Sequence, residues 1–418
     1  MIKRKLLGSI RKHLGKKEIT VIIGPRQSGK TTLMRMLKNE VEAKGGKTVF
    51  LNLDLESDKV YFDSQQELIN KLRLELGRSR GYVFIDEIQR KENAGLFLKG
   101  IYDLQLPYKF IVSGSGSLEL KSNIKESLTG RKRLFELLPV TFEEFVNYRT
   151  DYRYESNLLE FAEVERPQLE FLLKEYLVFG GYPRVVTEEL EEEKRYLLEE
   201  IFRSYVERDL VYLLRINRPD AFTQMVRLLA AQIGRILTFS GLAEVLGLNL
   251  VTLKKYLWMA QQTFVIYLVS PFYRNRSKEL TKSPVPYFYD MGLRNFALRR
   301  LSLDVELSEL SFVFQNFVFN EMKQKVIEKG WELHYWRTKD KAEVDMVIDT
   351  FRKLIPVEIK FSHVRDLKIT RSLRSFIEKY HPPEAWVVNL SRQDEIVHGR
   401  TRVKFLPYYR VVLADLEF

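Results

Sequence analysis

The 418-residue chain contains no cysteine. That absence removes disulfides, thiolate zinc sites and cysteine nucleophiles together. Long apolar runs are missing too: no stretch reaches the roughly 18 uninterrupted apolar residues of a membrane-spanning helix. The basic start, Met1-Ile2-Lys3-Arg4-Lys5-Leu6-Leu7-Gly8, has no long apolar core after it and does not read as a secretory signal. These absences lead to the expectation of a cytoplasmic protein with no membrane partner. What is present is ordinary for a globular protein, with 45% hydrophobic and 30% charged residues. At about 150 residues per domain, the length allows two to four domains. A net charge of +12 points to an anionic partner, nucleic acid first.

The chain is organised around Gly24-Pro25-Arg26-Gln27-Ser28-Gly29-Lys30-Thr31, which fits the phosphate-binding pattern G-x-x-x-x-G-K-[ST]. The apolar run Ile19-Thr20-Val21-Ile22-Ile23 before it reads as a buried strand, and Thr32-Leu33-Met34-Arg35-Met36-Leu37 opens a helix. Strand, glycine loop and helix aim backbone N–H groups and a helix N-terminus at phosphate. Lys30 would reach the β- and γ-phosphates of ATP, and the Thr31 hydroxyl would sit on Mg2+. The whole stretch Gly24 to Thr32 is expected to line the nucleotide.

About 55 residues on, Tyr82-Val83-Phe84-Ile85-Asp86-Glu87 is an apolar strand that ends in two acids. Asp86 would hold Mg2+ and Glu87 would polarise the attacking water as general base. Phe110-Ile111-Val112-Ser113, followed by Gly114-Ser115-Gly116-Ser117, reads as another core strand whose Ser113 or Ser115 could sense the γ-phosphate. Arg131, in Thr129-Gly130-Arg131-Lys132-Arg133, is the candidate arginine finger, in cis or from a neighbouring subunit of an oligomer. Residues 1–17 carry seven Lys/Arg and no acid, with Ile2, Leu6, Leu7, Ile10 and Leu14 at helical spacing. They predict an amphipathic helix laid on this core.

These motifs, with Leu138-Pro139-Val140-Thr141-Phe142-Glu143-Glu144-Phe145, Gly180-Gly181-Tyr182-Pro183, Arg208-Asp209-Leu210 and Tyr289-Asp290-Met291-Gly292-Leu293, resemble a family of archaeal and bacterial AAA-like ATPases. The family resembles the STAND-related P-loop class and carries a C-terminal domain of unknown function. The resemblance covers nearly the whole chain and implies an architecture rather than a cellular role.

The expected organisation is α/β: a P-loop NTPase core with a parallel sheet (1–150), a helical lid (151–215), a winged helix-turn-helix (216–276) and a restriction-endonuclease-like domain (277–418). In the third unit, Asn249 caps the helix Leu250 to Trp258. Leu253 and Leu257 face inward, while Thr252, Lys254 and Lys255 are presented to DNA. Phe264 to Val269 and Pro271 to Arg276 are read as wing strands, with Arg274 and Arg276 on phosphates. In the last unit, alternation puts Glu358 and Lys360 on one strand face, and Asp345 can come alongside on the paired strand. Two carboxylates with a lysine suit metal-dependent phosphodiester cleavage, the acids holding Mg2+. The set resembles the PD-(D/E)xK core, with Gln315 standing where the helix of that core usually offers an acid.

The functional expectation is a Mg2+-dependent ATPase that uses ATP as a switch for DNA binding. The alternatives are an ATP-gated DNA nuclease and a STAND-like signalling ATPase whose appended domains bind proteins.

Overall fold

The computed structural model describes residues 1–115, 127–209, 216–273, 283–304, 306 and 310–414. Its N-terminal sheet has five parallel strands: β1 (Ile19–Gly24), β2 (Thr48–Asn52), β3 (Gly81–Asp86), β4 (Tyr108–Ser115) and β5 (Lys132–Glu136), in the order β2-β3-β4-β1-β5. Parallel strands are covered on both faces, which explains the unbroken apolar runs in β1 and β3. Successive residues divide between the two faces. Ile22, Phe84 and Ile111 pack with the Lys30–Ala43 helix on one side, and Val21, Val83 and Val112 pack with the Gln65–Leu76 helix on the other. The N-terminal Leu6–His13 helix buries Leu7 and Ile10 against the first of these faces.

The Phe142–Arg149 helix begins with a Thr141/Glu144 capping box. Its Phe142, Phe145 and Val146 belong to a second, larger core built with most of the later segments, while the Arg371–Tyr380 helix packs in a separate cluster on the C-terminal sheet. The Phe142–Arg149 helix lies before the expected boundary at 150, and its apolar side chains pack with the segments after it. The helical stretch of the expected lid is present among the described residues (Leu158–Val164, Arg166–Phe179, Pro183–Thr187, Glu191–Ile201), and its apolar faces join the larger core.

Three helices follow, Pro219–Ala231, Phe239–Leu246 and Leu250–Gln262, then the antiparallel pair β6 (Ile266–Val269) and β7 (Val285–Phe288). Asn249 Oδ1 caps the third helix by accepting from Thr252 N at 2.7 Å. The second strand was expected at 271–276. It is β7 instead, so the boundary drawn at 276/277 cuts a paired hairpin. Residues 270–272 join a different sheet: Phe272 N donates to Tyr335 O at 2.6 Å, and Tyr335 N donates to Ser270 O at 3.2 Å.

Asp290 caps the Met291–Ala297 helix, which lies on the Arg166–Phe179 helix. Gly292 sits at their crossing; a β-carbon there would fall 2.0 Å from Phe179 O. The C-terminal unit starts with the Ser311–Glu328 helix. It continues with an antiparallel meander, β8 (Glu332–Arg337), β9 (Glu343–Asp349) and β10 (Leu354–Ile359). After the Arg371–Tyr380 helix come β11 (Glu384–Asn389), parallel to β10, then β12 (Asp394–His398) and β13 (Thr401–Pro407). The mixed sheet has the order β12-β13-β11-β10-β9-β8. Among the described residues no helix is long and apolar enough to cross a membrane.

Candidate nucleotide site

β1 ends at Gly24, where a β-carbon would meet Leu137 O at 2.1 Å, so the close approach of β5 requires glycine. Gln27 (φ 58°) and Gly29 (φ 92°) then turn the chain through left-handed conformations into the Lys30–Ala43 helix. The Lys30 ammonium is folded back onto the loop, donating to Pro25 O at 2.7 Å and Gly24 O at 3.2 Å. Burial lowers its pKa to about 8, against the pull of Glu87 and Asp86. The Ser28 hydroxyl is buried without a partner among the described residues, a donor free for a phosphate oxygen.

Strand β4 lies between β1 and β3, which brings two predicted hydroxyls onto one carboxylate. Asp86, at the end of β3, accepts from Thr31 Oγ1 at 2.6 Å through Oδ2, and from the Ser113 hydroxyl through Oδ1. Glu87 follows in a left-handed conformation (φ 57°) and accepts from Gln89 Nε2. Burial raises its pKa; Lys30 opposes this and Asp86 adds to it. The group sits at the carboxyl edge of the sheet, where open α/β sheets hold ligands. A hydroxyl on a buried carboxylate, beside a lysine and an unpartnered serine, fits a Mg2+–triphosphate.

Gly24 to Thr32, Asp86, Glu87 and Ser113 are thus brought together. The side chains of Ser115 and Arg208 lie outside the described residues. Arg131 is not with the group. Its backbone O accepts from Ile19 N at 2.9 Å, at the amino end of β1, and its guanidinium pairs with Asp103 at 2.8 Å. A finger in cis is corrected by strand direction: β5 runs parallel to β1, so the residue before it falls roughly 17 Å from the phosphate end.

Further residues reach the loop through long-range contacts. Arg4 donates to Ser28 O at 3.1 Å, Leu138 O at 2.6 Å and Glu144 Oε2 at 2.9 Å, tying the N-terminal segment to the phosphate loop. Glu144 is the acid of the capping box, and Phe142 N at that helix start donates to Glu321 Oε1 at 2.9 Å. Glu321 comes from the Ser311–Glu328 helix, and burial lifts its pKa to about 7. The Gly180–Pro183 signature also arrives here: a β-carbon on Gly29 would sit 3.8 Å from the Pro183 ring. Gly181 N donates to the buried Asp290 at 2.7 Å. Arg4 was hidden in a generally basic segment; the other two signatures were visible as motifs but not as partners.

In the mixed sheet, Val357 pairs with Met346, which sets Glu358 opposite Asp345 one step further along. Asp345 accepts from Ile359 N at 2.8 Å and from Gln315 Nε2 at 3.1 Å. Burial, and next the charge of Glu358, raise its pKa to about 7, against the Ile359 hydrogen bond. Glu358 pairs with Lys360 at 2.8 Å and accepts from Thr370 at 2.9 Å. The predicted set is therefore assembled, with its carboxylates already engaged by protein donors. Among the described residues no group of three or more acidic, histidine or cysteine side chains could hold a metal. Gln315, which stands where the helix of the resembled core would offer an acid, donates to Asp345 instead. On the Leu250–Gln262 helix, Lys254 and Lys255 are exposed, Thr252 is half-buried, and Val251 and Trp258 are exposed beside them. Arg274 and Arg276 lie outside the described residues.

The AAA domain model matches residues 16–146. Two domains of unknown function, DUF8612 and DUF4143, match residues 170–304 and 310–409. An uncharacterized protein of Mycobacterium tuberculosis is 25% identical over 384 residues, covering 89% of this chain and 76% of its own length. An uncharacterized protein of Methanocaldococcus jannaschii is 26% identical over 340 residues, covering 79% of this chain and 72% of its own. Among solved structures, Cdc6p of Pyrobaculum aerophilum has TM-score 0.31 and 11% identity, covering 72% of this chain and 97% of that one. AMPPCP-bound DnaA of Aquifex aeolicus has TM-score 0.28 and 15% identity, covering 62% and 86%. The chain carries an AAA-type P-loop ATPase domain.

Proposed function

We propose that the chain is a Mg2+-dependent ATPase whose nucleotide state switches DNA binding by its later domains. The observation that carries this reading is the convergence of Thr31, Ser113 and Lys30 around Asp86, with Glu87 beside them. ATP would lie along the loop, its phosphates on the Lys30–Ala43 helix N-terminus. Mg2+ held by Thr31 and Asp86 would neutralise charge on the phosphates. Lys30 would leave Gly24 O and Pro25 O for the phosphate oxygens. Glu87, with a carboxyl group raised by burial, would accept the proton of the attacking water.

Exposed Lys254, Lys255 and Trp258 on the third helix of the 216–269 unit support a winged helix-turn-helix that contacts DNA. The order of helix, meander, helix and parallel strand in 311–389 supports a nuclease-like fold. The engaged carboxylates and Gln315 favour a binding role for that fold over cleavage. The contacts Ser28–Arg4–Glu144 and Phe142–Glu321 would carry the nucleotide state toward it.

The test is ATP hydrolysis and DNA binding by the full chain, with and without ATP and Mg2+. ATP-dependent affinity for DNA is the expected result. DNA binding that ignores nucleotide would reject the switch. Metal-dependent cutting, lost in Asp345→Ala and Glu358→Ala, would establish the nuclease alternative instead. A nucleotide-dependent protein complex without DNA affinity would favour the signalling alternative.

A further inference from the structure

We infer that Arg4 is a positioning residue of the phosphate loop: by holding the Ser28 carbonyl it turns the Gly29 N–H toward the bound triphosphate. This rests on the nucleotide reading of that loop. The Ser28–Gly29 peptide is trans, so its carbonyl and its N–H point in opposite directions. Arg4 Nη1 donates to Ser28 O at 3.1 Å, which sends the Gly29 N–H the other way. That N–H has no acceptor among the described residues. Gly29 stands at the cap of the Lys30–Ala43 helix, where free backbone N–H groups meet phosphate. Glycine populates both signs of φ about equally, so with Gly29 at φ 92° this plane would turn over at little cost if nothing held it. Turned over, it would present a carbonyl to the phosphates.

The clamp is itself fixed. The Arg4 side chain is 9% exposed, and it also donates to Leu138 O at 2.6 Å and to Glu144 Oε2 at 2.9 Å. Glu144 in turn accepts from Lys5 N at 2.7 Å and Thr141 N at 3.0 Å, which pins the carboxylate that pins the guanidinium. Three acceptors placed around one planar fork suit a guanidinium; an ammonium, a point charge on a flexible stem, does not keep all three. Lys3 and Lys5, on either side, turn outward to Glu155 and Glu143 and stay more than half exposed. Within the basic start, the buried contact to the loop is therefore made by Arg4.

Steady-state ATP hydrolysis, and calorimetric titration of the full chain with ATP and with tripolyphosphate, each with Mg2+, test this. The variants are Arg4→Ala, Arg4→Lys and the surface control Lys5→Ala, compared where their circular dichroism matches wild type. Arg4→Ala should raise KM for ATP, and Kd for ATP and tripolyphosphate alike, by about tenfold, roughly the share of one hydrogen bond to a charged group. An N–H that meets ground state and transition state equally leaves kcat at saturating ATP within about twofold of wild type. Arg4→Lys keeps the buried charge without the fork and should raise both constants at least about threefold. Lys5→Ala should match wild type. Wild-type KM and Kd in folded Arg4→Ala overturn the assignment, as does a loss confined to kcat or an equal loss in Lys5→Ala. If Arg4→Ala does not fold, wild-type binding by folded Arg4→Lys overturns it. A wild-type chain that binds neither ATP nor tripolyphosphate overturns the loop reading itself.

Discussion

Thr31 and Asp86 meet at 2.6 Å, the threonine hydroxyl donating to the carboxylate across 55 residues of sequence. The contact pre-sets the two groups expected on the metal, and the chemistry beside it falls to Lys30 and Glu87. Lys30→Ala should abolish ATP turnover by removing the charge that meets the phosphates. Glu87→Gln should keep ATP binding and lower turnover by a factor of about 10²–10⁴, the usual share of a general base. Phosphate release and a binding titration on both variants check this; wild-type turnover in both would reject the ATPase reading.

Asp345 makes a pH prediction. Its folded pKa is about 7 against an ordinary 3.8, so between those values the folded state holds a proton that the unfolded chain has released. Its contribution to stability is then present at acid pH and lost as pH rises toward 7, with a slope of at most about 1.4 kcal/mol per pH unit. Glu321 and Asp290, raised to about 7 and about 6, act in the same sense. Urea unfolding of wild type and Asp345→Asn from pH 4.5 to 7.5 should show the stability difference between them changing with pH in this direction. Parallel curves would mean that Asp345 titrates normally.

Glu321 is the acceptor for Phe142 N at the start of a helix that belongs to another part of the chain. Glu321→Ala leaves that buried amide unpaired and should cost about 1–3 kcal/mol of stability. Glu321→Gln keeps an acceptor and should cost less. If the contact also transmits nucleotide state, Glu321→Gln should fold normally yet lose part of any ATP dependence of DNA binding. Denaturant melts and DNA anisotropy with and without ATP separate the two effects.

Lys254 and Lys255 are expected on DNA, which sets a salt test. Replacing both by alanine should weaken binding across DNA sequences and reduce the slope of log affinity against log salt by about 2. A variant with wild-type slope would move the DNA contact elsewhere in the chain.

The phosphate loop and β3 could be read from sequence because each is local: a fixed spacing, or an apolar run ending in acids. The Asp345, Glu358 and Lys360 set was legible through strand alternation, and Asn249 through its capping position. Arg131 as a finger in cis does not follow from the local stretch 129–133. Its place before β5, in a sheet of parallel strands, already puts it at the wrong end. The second strand of the hairpin was misplaced because Pro271 and Phe272, strand-like in sequence, pair with β8 instead. Arg4, Glu321 and Asp290 act through partners 24, 179 and 109 residues away, and no periodicity reports such contacts.

The attachment of residues 270–272 to β8 has a practical consequence. β8 is the outer strand of the six-stranded sheet, and this short segment covers part of its open hydrogen-bonding edge. A fragment begun near residue 310, where the last family match starts, would leave that edge bare. Bare edges pair with one another, so such a fragment should self-associate into aggregates, whereas one begun before β6 should stay dispersed.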